Sequence, residues 1–329
     1  MLRLAIAQFR PRKAAYRANL EQVGQLFRDL ARNPEPVDVL VLPETALTGY
    51  FVEGGVRELA VSAEQLYADL SEVHATSGAA PVDVIVGFYE LWNTRLYNSG
   101  LAARLGGSDA GIRHVHRKVF LPTYGGLDEE RFVDLAWGRA AIVVCEDAWH
   151  SIVPTMAALD GAQVVVVLSA SPARGVQPGE NGDGRPASTV RWERVAQAIA
   201  AEHGLFVVVA HLVGFEGGKA FPGGSLVVDP RGGVVARAPI FEDGLTVVTV
   251  DLDVMTLSDA PAVADPEAGG LTMREMQKIL RGFRGMDVIG GDVVCFVPHL
   301  DPSQVTALHI SAIMHDIVTI MAEGVARKG

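Results

Sequence analysis

The sequence contains little of what defines several large protein classes. Its 329 residues include only two cysteines, Cys145 and Cys295, and neither lies in a CxxC pair or a Cys/His zinc spacing. We therefore expect no disulfide framework and a reducing, cytoplasmic environment. No apolar run approaches the roughly 20 residues that a membrane helix needs, and the N-terminal run is too short for a secretory signal. These absences predict a soluble protein with no membrane partner.

Clustered positive charge is also missing. Lys and Arg total 28 against 39 Asp and Glu, which gives a formal net charge of −11. Binding to a phosphate backbone needs grouped basic side chains, so nucleic acid is excluded as an expected partner. The length is sufficient for a full hydrophobic core.

Short β-branched runs alternate with helical stretches over most of the chain, which is typical of an α/β fold. Helices are predicted at 19–32, 64–76, after Ser151 and at 188–203. The runs YNSGLAARL and GIRHVHRKVFLP read as neighbouring strands, and GGSLVVDPRGGVVARA reads as a hairpin. The segment 171–188 is rich in Gly and Pro and is predicted to be a long loop.

The composition and the pattern of predicted elements change after FEDGLTVVTVDLD. A Pro/Ala/Gly connector is followed by a predicted helix, a strand and a long apolar helix over 304–323. We therefore predict a domain over 1–254 and a separate C-terminal segment over 255–329.

Three reactive residues, Glu44, Lys118 and Cys145, each follow a predicted strand. Open α/β sheets build their clefts at the carboxyl ends of strands, so the three side chains are expected to meet. Cys145 is the candidate nucleophile and Glu44 the base that takes its proton. Lys118 and the backbone N–H of Glu146 are expected to stabilise the negative charge formed by attack on an amide or nitrile.

Each residue alone also has an ordinary structural explanation. A cysteine at the end of an apolar strand is usually a buried core thiol, as expected for Cys295 in the middle of its strand. Glu44 alone is compatible with a helix N-terminal acid and Lys118 with a solvated strand end. The combination of the three is what predicts a reaction site.

The motifs LPETALTGY, HRKVFLPTYGGLDEERF and VVCEDAWH resemble those of the carbon–nitrogen hydrolase (nitrilase) superfamily over about residues 1–254. The resemblance implies a four-layer α-β-β-α sandwich, to which the pattern of the C-terminal segment adds a helix-strand-helix appendage. It also implies a Glu-Lys-Cys triad in which Cys145 forms a thioester. A second glutamate of the family corresponds to Glu129, with Glu130 as the alternative.

Within the superfamily, the sequence is most similar to the glutamine-hydrolysing domain of NAD synthetases and to related amidases. That similarity makes Tyr124 and Ser171 candidates for the substrate pocket, and Trp149 is a candidate for its wall or for the core. No ATP-binding synthetase sequence follows, so we expect simple amide hydrolysis rather than ammonia delivery to NAD synthesis. Proteins of this family commonly associate, so a homo-oligomer is expected.

The C-terminal part, about 245–329, resembles the arginase/agmatinase (ureohydrolase) family. Asp251 and Asp253 match two metal-ligand aspartates of that family, and Glu267 matches its guanidinium-binding acid. The other metal ligands have no counterpart, and two aspartates alone do not hold a dinuclear metal centre. We therefore expect this segment to have no active site of its own.

His114 and His116 form an HxH pair before Lys118, but a zinc site needs further ligands nearby, and we predict no metal. The sequence predicts a cofactor-free hydrolase of a non-peptide C–N bond that acts on a small molecule. A small linear amide is favoured, with nitriles and N-carbamoyl compounds open. A metal-dependent amidine hydrolase and a catalytically silent assembly module are the alternatives.

Overall fold

A computed structural model describes residues 2–52, 55–120, 132–173, 185–250, 280 and 305–326. The chain divides into two compact units, 1–250 and 251–329. The division into a domain over 1–254 and a C-terminal segment over 255–329 without an active site of its own remains a prediction.

The described residues of the first unit form two mixed six-stranded sheets and a separate two-stranded ribbon. The strands of the first sheet are β1 (Leu2–Gln8), β2 (Val39–Val41), β3 (Val82–Trp92), β4 (Arg95–Leu105), β5 (Gly111–Arg117) and β14 (Gly244–Val250). Those of the second are β6 (Phe132–Leu135), β7 (Gly138–Val144), β8 (Val164–Ser169), β9 (Phe206–His211), β12 (Leu226–Val228) and β13 (Val234–Arg237). The ribbon consists of β10 (Val213–Glu216) and β11 (Lys219–Pro222).

The strand orders are β14-β1-β2-β3-β4-β5 and β13-β12-β9-β8-β7-β6. At the centre of each sheet three strands run parallel, β1-β2-β3 in the first and β7-β8-β9 in the second. Their carboxyl ends therefore lie on the same edge of each sheet, and antiparallel strands extend both sheets outward.

The described helices are α1 (Tyr16–Ala31), α2 (Val56–Leu59), α3 (Ala63–Ala75), α4 (Ile152–Leu159), α5 (Ala187–His203) and, in the second unit, α6 (Val305–Ala326). A short 3₁₀ helix covers Cys145–Trp149. None of the described helices is both long and apolar enough to cross a bilayer.

Two buried helix-facing clusters and a close sheet-to-sheet contact define the layers. Phe27 of α1 and Leu70 of α3 pack with the apolar side chains of the first sheet, while Trp192 of α5 packs on the second. Gly100 of the first sheet lies so close to Ile142 of the second that an added Cβ would be 2.9 Å from its Cγ2. The predicted α-β-β-α sandwich is confirmed for the first unit.

The predicted elements are confirmed with small shifts of their ends. The four helices predicted in the first domain correspond to α1, α3, α4 and α5, the neighbouring strands are β4 and β5, and the predicted hairpin is β12 and β13. Of the predicted appendage, the final helix is α6. Its first helix, except for residue 280, and its strand lie outside the described residues, as does 174–184 of the predicted loop.

Gly87 of β3 lies directly against the segment that leads to Glu44. A Cβ at this position would be 2.4 Å from the Glu44 Cα and 2.8 Å from the Pro43 carbonyl oxygen, both backbone atoms that cannot rotate away. The small residue therefore permits the close approach of two neighbouring backbone segments.

We predict that Gly87→Ala lowers the free energy of unfolding by about 1–3 kcal/mol, as overpacking usually does. Urea denaturation is the measurement. Gly111→Ala is the matched control, because no atom lies within 4 Å of a Cβ built there. Equal stabilities of the two variants would contradict the prediction.

Candidate active site

Glu44 follows β2 and is completely buried. Its Oε1 accepts hydrogen bonds from the Lys118 Nζ and the Asn98 Nδ2, each at 2.7 Å, and its Oε2 accepts one from the Ala170 N–H at 2.8 Å. A carboxylate has about four acceptor positions, so these three donors leave one on Oε2. A buried carboxylate with a remaining acceptor position is suited to receive a proton.

Lys118 follows β5, and its ammonium group is buried beside Glu44. Its backbone N–H donates to the Asn98 carbonyl at 2.8 Å, which continues the antiparallel pairing with β4 by one residue. Burial by itself lowers the pKa of Lys118, but the negative charge of Glu44 and the hydrogen bond to that carboxylate outweigh it. The net pKa therefore lies above the ordinary value, and Lys118 is a permanent positive charge.

Cys145 follows β7 at the start of the 3₁₀ helix and has a φ of +46°, a conformation that is rare for residues other than glycine. Its Sγ accepts a hydrogen bond from the Ser169 Oγ at 3.5 Å. Burial and the charge of Glu44 raise the pKa of the thiol to about 12, against the opposing effects of Lys118 and Ser169.

A thiol with so high a pKa is protonated at neutral pH, and only the thiolate is strongly nucleophilic. Reaction at Cys145 therefore needs a base that removes the proton as the sulfur attacks. The same Glu44 charge that disfavours a resting thiolate also provides a proton acceptor, while Lys118 supplies positive charge to the site. The arrangement fits nucleophilic catalysis assisted by a general base.

Several other predicted residues lie outside the part of the chain that the structure describes. Tyr124 and Glu129, with the alternative Glu130, lie outside the described residues, as do Cys295, Asp251, Asp253 and Glu267. Ser171 is partly buried, two residues beyond β8. Their roles remain predictions.

Glu146 and Trp149 differ in their surroundings. Glu146 is partly exposed, with its carboxylate 3.8 Å from the His150 Nε2. Trp149 packs at 4.8 Å on the ring of Trp192, and the Arg191 guanidinium lies over it at 4.6 Å. Trp149 thus belongs to the apolar layer between the second sheet and α5.

The two histidines of the HxH pair have separate environments. Burial lowers the pKa of His114 to about 4, so it is neutral. His116 is fully buried, and its Nε2 lies 3.1 Å from the Asp147 Oδ2. Among the described residues, no group of three or more His, Cys, Asp or Glu side chains is arranged to hold a metal ion.

Sequence patterns did not point to Asn98, Ser169, Ala170 or Tyr50 as neighbours of the reactive residues. Asn98 and Ser169 are unremarkable strand residues, and their positions depend on strand pairing. Burial and the charge of Glu44 raise the pKa of Tyr50 to about 12, which marks this phenol as a further neighbour. Its position at the end of LPETALTGY was the available signal.

Comparisons with known proteins identify the family to which the chain belongs. The carbon–nitrogen hydrolase family model matches residues 3–258. The chain belongs to the carbon–nitrogen hydrolase family. The resemblance seen in the three motifs is thereby confirmed.

Curated relatives include glutamine-dependent NAD synthetases. That of Thermotoga maritima is 27% identical over 264 residues, covering 77% of this chain and 42% of the relative. That of Xylella fastidiosa is 30% identical over 264 residues, covering 75% and 44%. The chain thus spans less than half the length of these synthetases.

Solved structures support the fold. A member of branch 10 of the nitrilase superfamily from Saccharomyces cerevisiae aligns with a TM-score of 0.62 at 19% identity, covering 75% of this chain and 89% of its own. An amidase mutant from Nesterenkonia sp. AN1, with acrylamide added at its active-site cysteine, aligns with a TM-score of 0.60 at 23% identity, covering 76% and 94%.

The C-terminal resemblance is confirmed as well. The arginase family model matches residues 233–319. A guanidinopropionase of Pseudomonas aeruginosa is 39% identical over 85 residues, covering 26% of this chain and 27% of that protein. The match is therefore restricted to a fragment of the relative.

We predict that Ser169→Ala raises the pKa of the Cys145 thiol further, because the Ser169 hydrogen bond lowers it. The rate of alkylation by iodoacetamide at fixed pH should fall about five- to tenfold, equivalent to the roughly 1 kcal/mol that a hydrogen bond contributes. Ser71→Ala on α3 is the control. Unchanged alkylation in Ser169→Ala would show that the hydroxyl does not act on the thiol.

Proposed function

We propose that this protein hydrolyses a small linear amide through a thioester on Cys145. The observation that supports this most directly is the buried Glu44, which is bonded to Lys118 on one side and to the Ala170 N–H on the other. Ala170 follows Ser169, whose hydroxyl contacts the thiol. A base, a cation and a nucleophile are therefore available to one reacting carbon.

In the first half-reaction, Glu44 takes the proton of the Cys145 thiol as the sulfur attacks the amide carbon. Negative charge forms on the carbonyl oxygen, where Lys118 and the Glu146 N–H stabilise it. The tetrahedral adduct collapses when its C–N bond breaks and Glu44 returns the proton to the leaving nitrogen. Ammonia leaves, and the acyl group remains as a thioester.

In the second half-reaction, water attacks the thioester while Glu44 takes one of its protons. The C–S bond breaks, the carboxylic acid is released, and Glu44 returns the proton to the sulfur. The net change is the addition of one water across one C–N bond. The proposed chemistry needs no cofactor.

The amide is preferred to a nitrile or an N-carbamoyl compound because of the relatives' names. The NAD synthetases are glutamine-dependent, and one structural neighbour is an amidase. Both names point to a carboxamide substrate. Tyr124 and Ser171 are proposed to line its pocket and Glu129 to orient the triad, in a cytoplasmic homo-oligomer.

A metal-dependent amidine hydrolase is the second candidate, because the arginase family model matches residues 233–319. Its metal would have to be held by Asp251 and Asp253 with further ligands that the sequence does not supply. Amide hydrolysis is therefore the stronger proposal.

We predict ammonia release from small linear amides that resists a chelator, disappears in Cys145→Ala and persists in the matched Cys295→Ala variant. The panel should include nitriles, N-carbamoyl compounds and guanidino compounds, with ammonia and urea both measured. Faster turnover of nitriles would show that the substrate class is wrong. Chelator-sensitive urea production that survives Cys145→Ala would establish the second candidate instead, and no turnover of any compound would favour a silent assembly module.

We predict opposite effects of Glu44→Gln on thiol ionisation and on turnover. Because the Glu44 charge raises the thiol pKa, its removal should shift the ultraviolet thiolate absorbance of Cys145 to lower pH. Turnover should nevertheless fall about 10²–10⁴-fold, because the general base is lost.

Lys118→Gln is the matched variant for this test. The positive charge of Lys118 lowers the pKa of the Cys145 thiol, so Lys118→Gln should shift the same titration to higher pH. Identical shifts in the two variants would contradict the assigned electrostatics.

A further inference from the structure

Asp147 is a completely buried carboxylate that lies two residues after the nucleophile. Its Oδ1 accepts the backbone N–H groups of Val119 at 3.1 Å and Phe120 at 2.8 Å, and its Oδ2 accepts that of Val144 at 3.1 Å. The fourth contact is with the His116 Nε2 at 3.1 Å. Because a buried charge is costly without partners, this full set of contacts stabilises the carboxylate in one position.

These contacts join the two sheets at the reactive residues. Val119 and Phe120 follow Lys118 directly at the end of β5, which belongs to the first sheet. Val144 precedes Cys145 directly at the end of β7, which belongs to the second. One side chain therefore holds the peptide groups next to the cation and next to the nucleophile.

His116 completes this connection. It is fully buried on β5 two residues before Lys118, and strand alternation places both side chains on the same side. To bind a carboxylate, its Nε2 must carry the proton. In the part of the chain that the structure describes, its Nδ1 has no hydrogen-bond partner, so the hydrogen bond that orients the ring is the one to Asp147.

We propose that Asp147 and His116 are positioning residues, which set the distance between Lys118 and Cys145 across the two sheets. Neither residue contacts a reacting atom. The proposal rests on the proposed function, because Lys118 is useful to Cys145 only if both face the same developing charge. A displacement of about 1 Å at such a site costs on the order of 100-fold in rate.

The central test compares His116→Gln with His116→Leu. Gln places an N–H donor near the position of the Nε2, whereas Leu fills a similar volume without a donor. We expect His116→Leu to lose on the order of 100-fold in kcat per titrated active site with KM within about twofold, and His116→Gln to recover most of it. Titrating the active sites separates this effect from a loss of folded protein.

The matched control is His114→Leu, which alters the other histidine of the same strand. His114 is partly buried, and its ring nitrogen Nε2 has no partner among the described residues. The His114→Leu substitution should leave kcat per site unchanged. Asp147→Asn keeps one acceptor oxygen but must place its amide against an N–H or against His116, so it should lose more kcat than His116→Gln.

Alkylation of Cys145 by iodoacetamide provides a second readout that does not require the substrate to be known. His116→Leu should change the rate of Cys145 alkylation, and His116→Gln should restore the native rate. Equal kcat per site and equal alkylation in His116→Leu and the native protein would overturn the proposal, as would equal damage in the Leu and Gln variants. If the native protein hydrolyses no amide but the alkylation pattern holds, the proposed function fails and the positioning role stands.

Discussion

The buried ion pair of Glu44 and Lys118 is the constraint on which the site depends. Removing two charges from water costs several kcal/mol each, and the cost is recovered only with good geometry and additional hydrogen bonds. Asn98 from the first sheet and the Ala170 N–H from the second supply those bonds at 2.7 and 2.8 Å. The pair is therefore stable only where the two sheets meet.

That requirement explains the unusual backbone around the pair. Thr45, which immediately follows Glu44, and Cys145 have φ values of +51° and +46°. Such conformations cost free energy and persist where the surrounding structure enforces them. Here the bonds to Asp147, the packing of Gly87 against Glu44 and the strand pairing of β7 and β8 provide that enforcement.

Much of the fold was predictable because alternation of apolar runs and helical periods is a local property. The positions of Glu44, Lys118 and Cys145 after strands followed from the same patterns and are confirmed by β2, β5 and β7. Asn98 was not identified, and neither were the contacts of Asp147 with the end of β5. Their contacts depend on the register of β4 with β5 and on the approach of two sheets, which no short stretch of sequence encodes.

By itself the sequence determined the strand ends at which a thiol, a carboxylate and an ammonium group occur, together with the family that shares those motifs. Only the tertiary structure decided that the carboxylate is buried on the ammonium, that the thiol pKa is raised, and that Asp147 joins β5 to β7. The physical reason is that burial and charge interactions depend on distances across the two sheets. Those distances form only when residues far apart in the chain pack together.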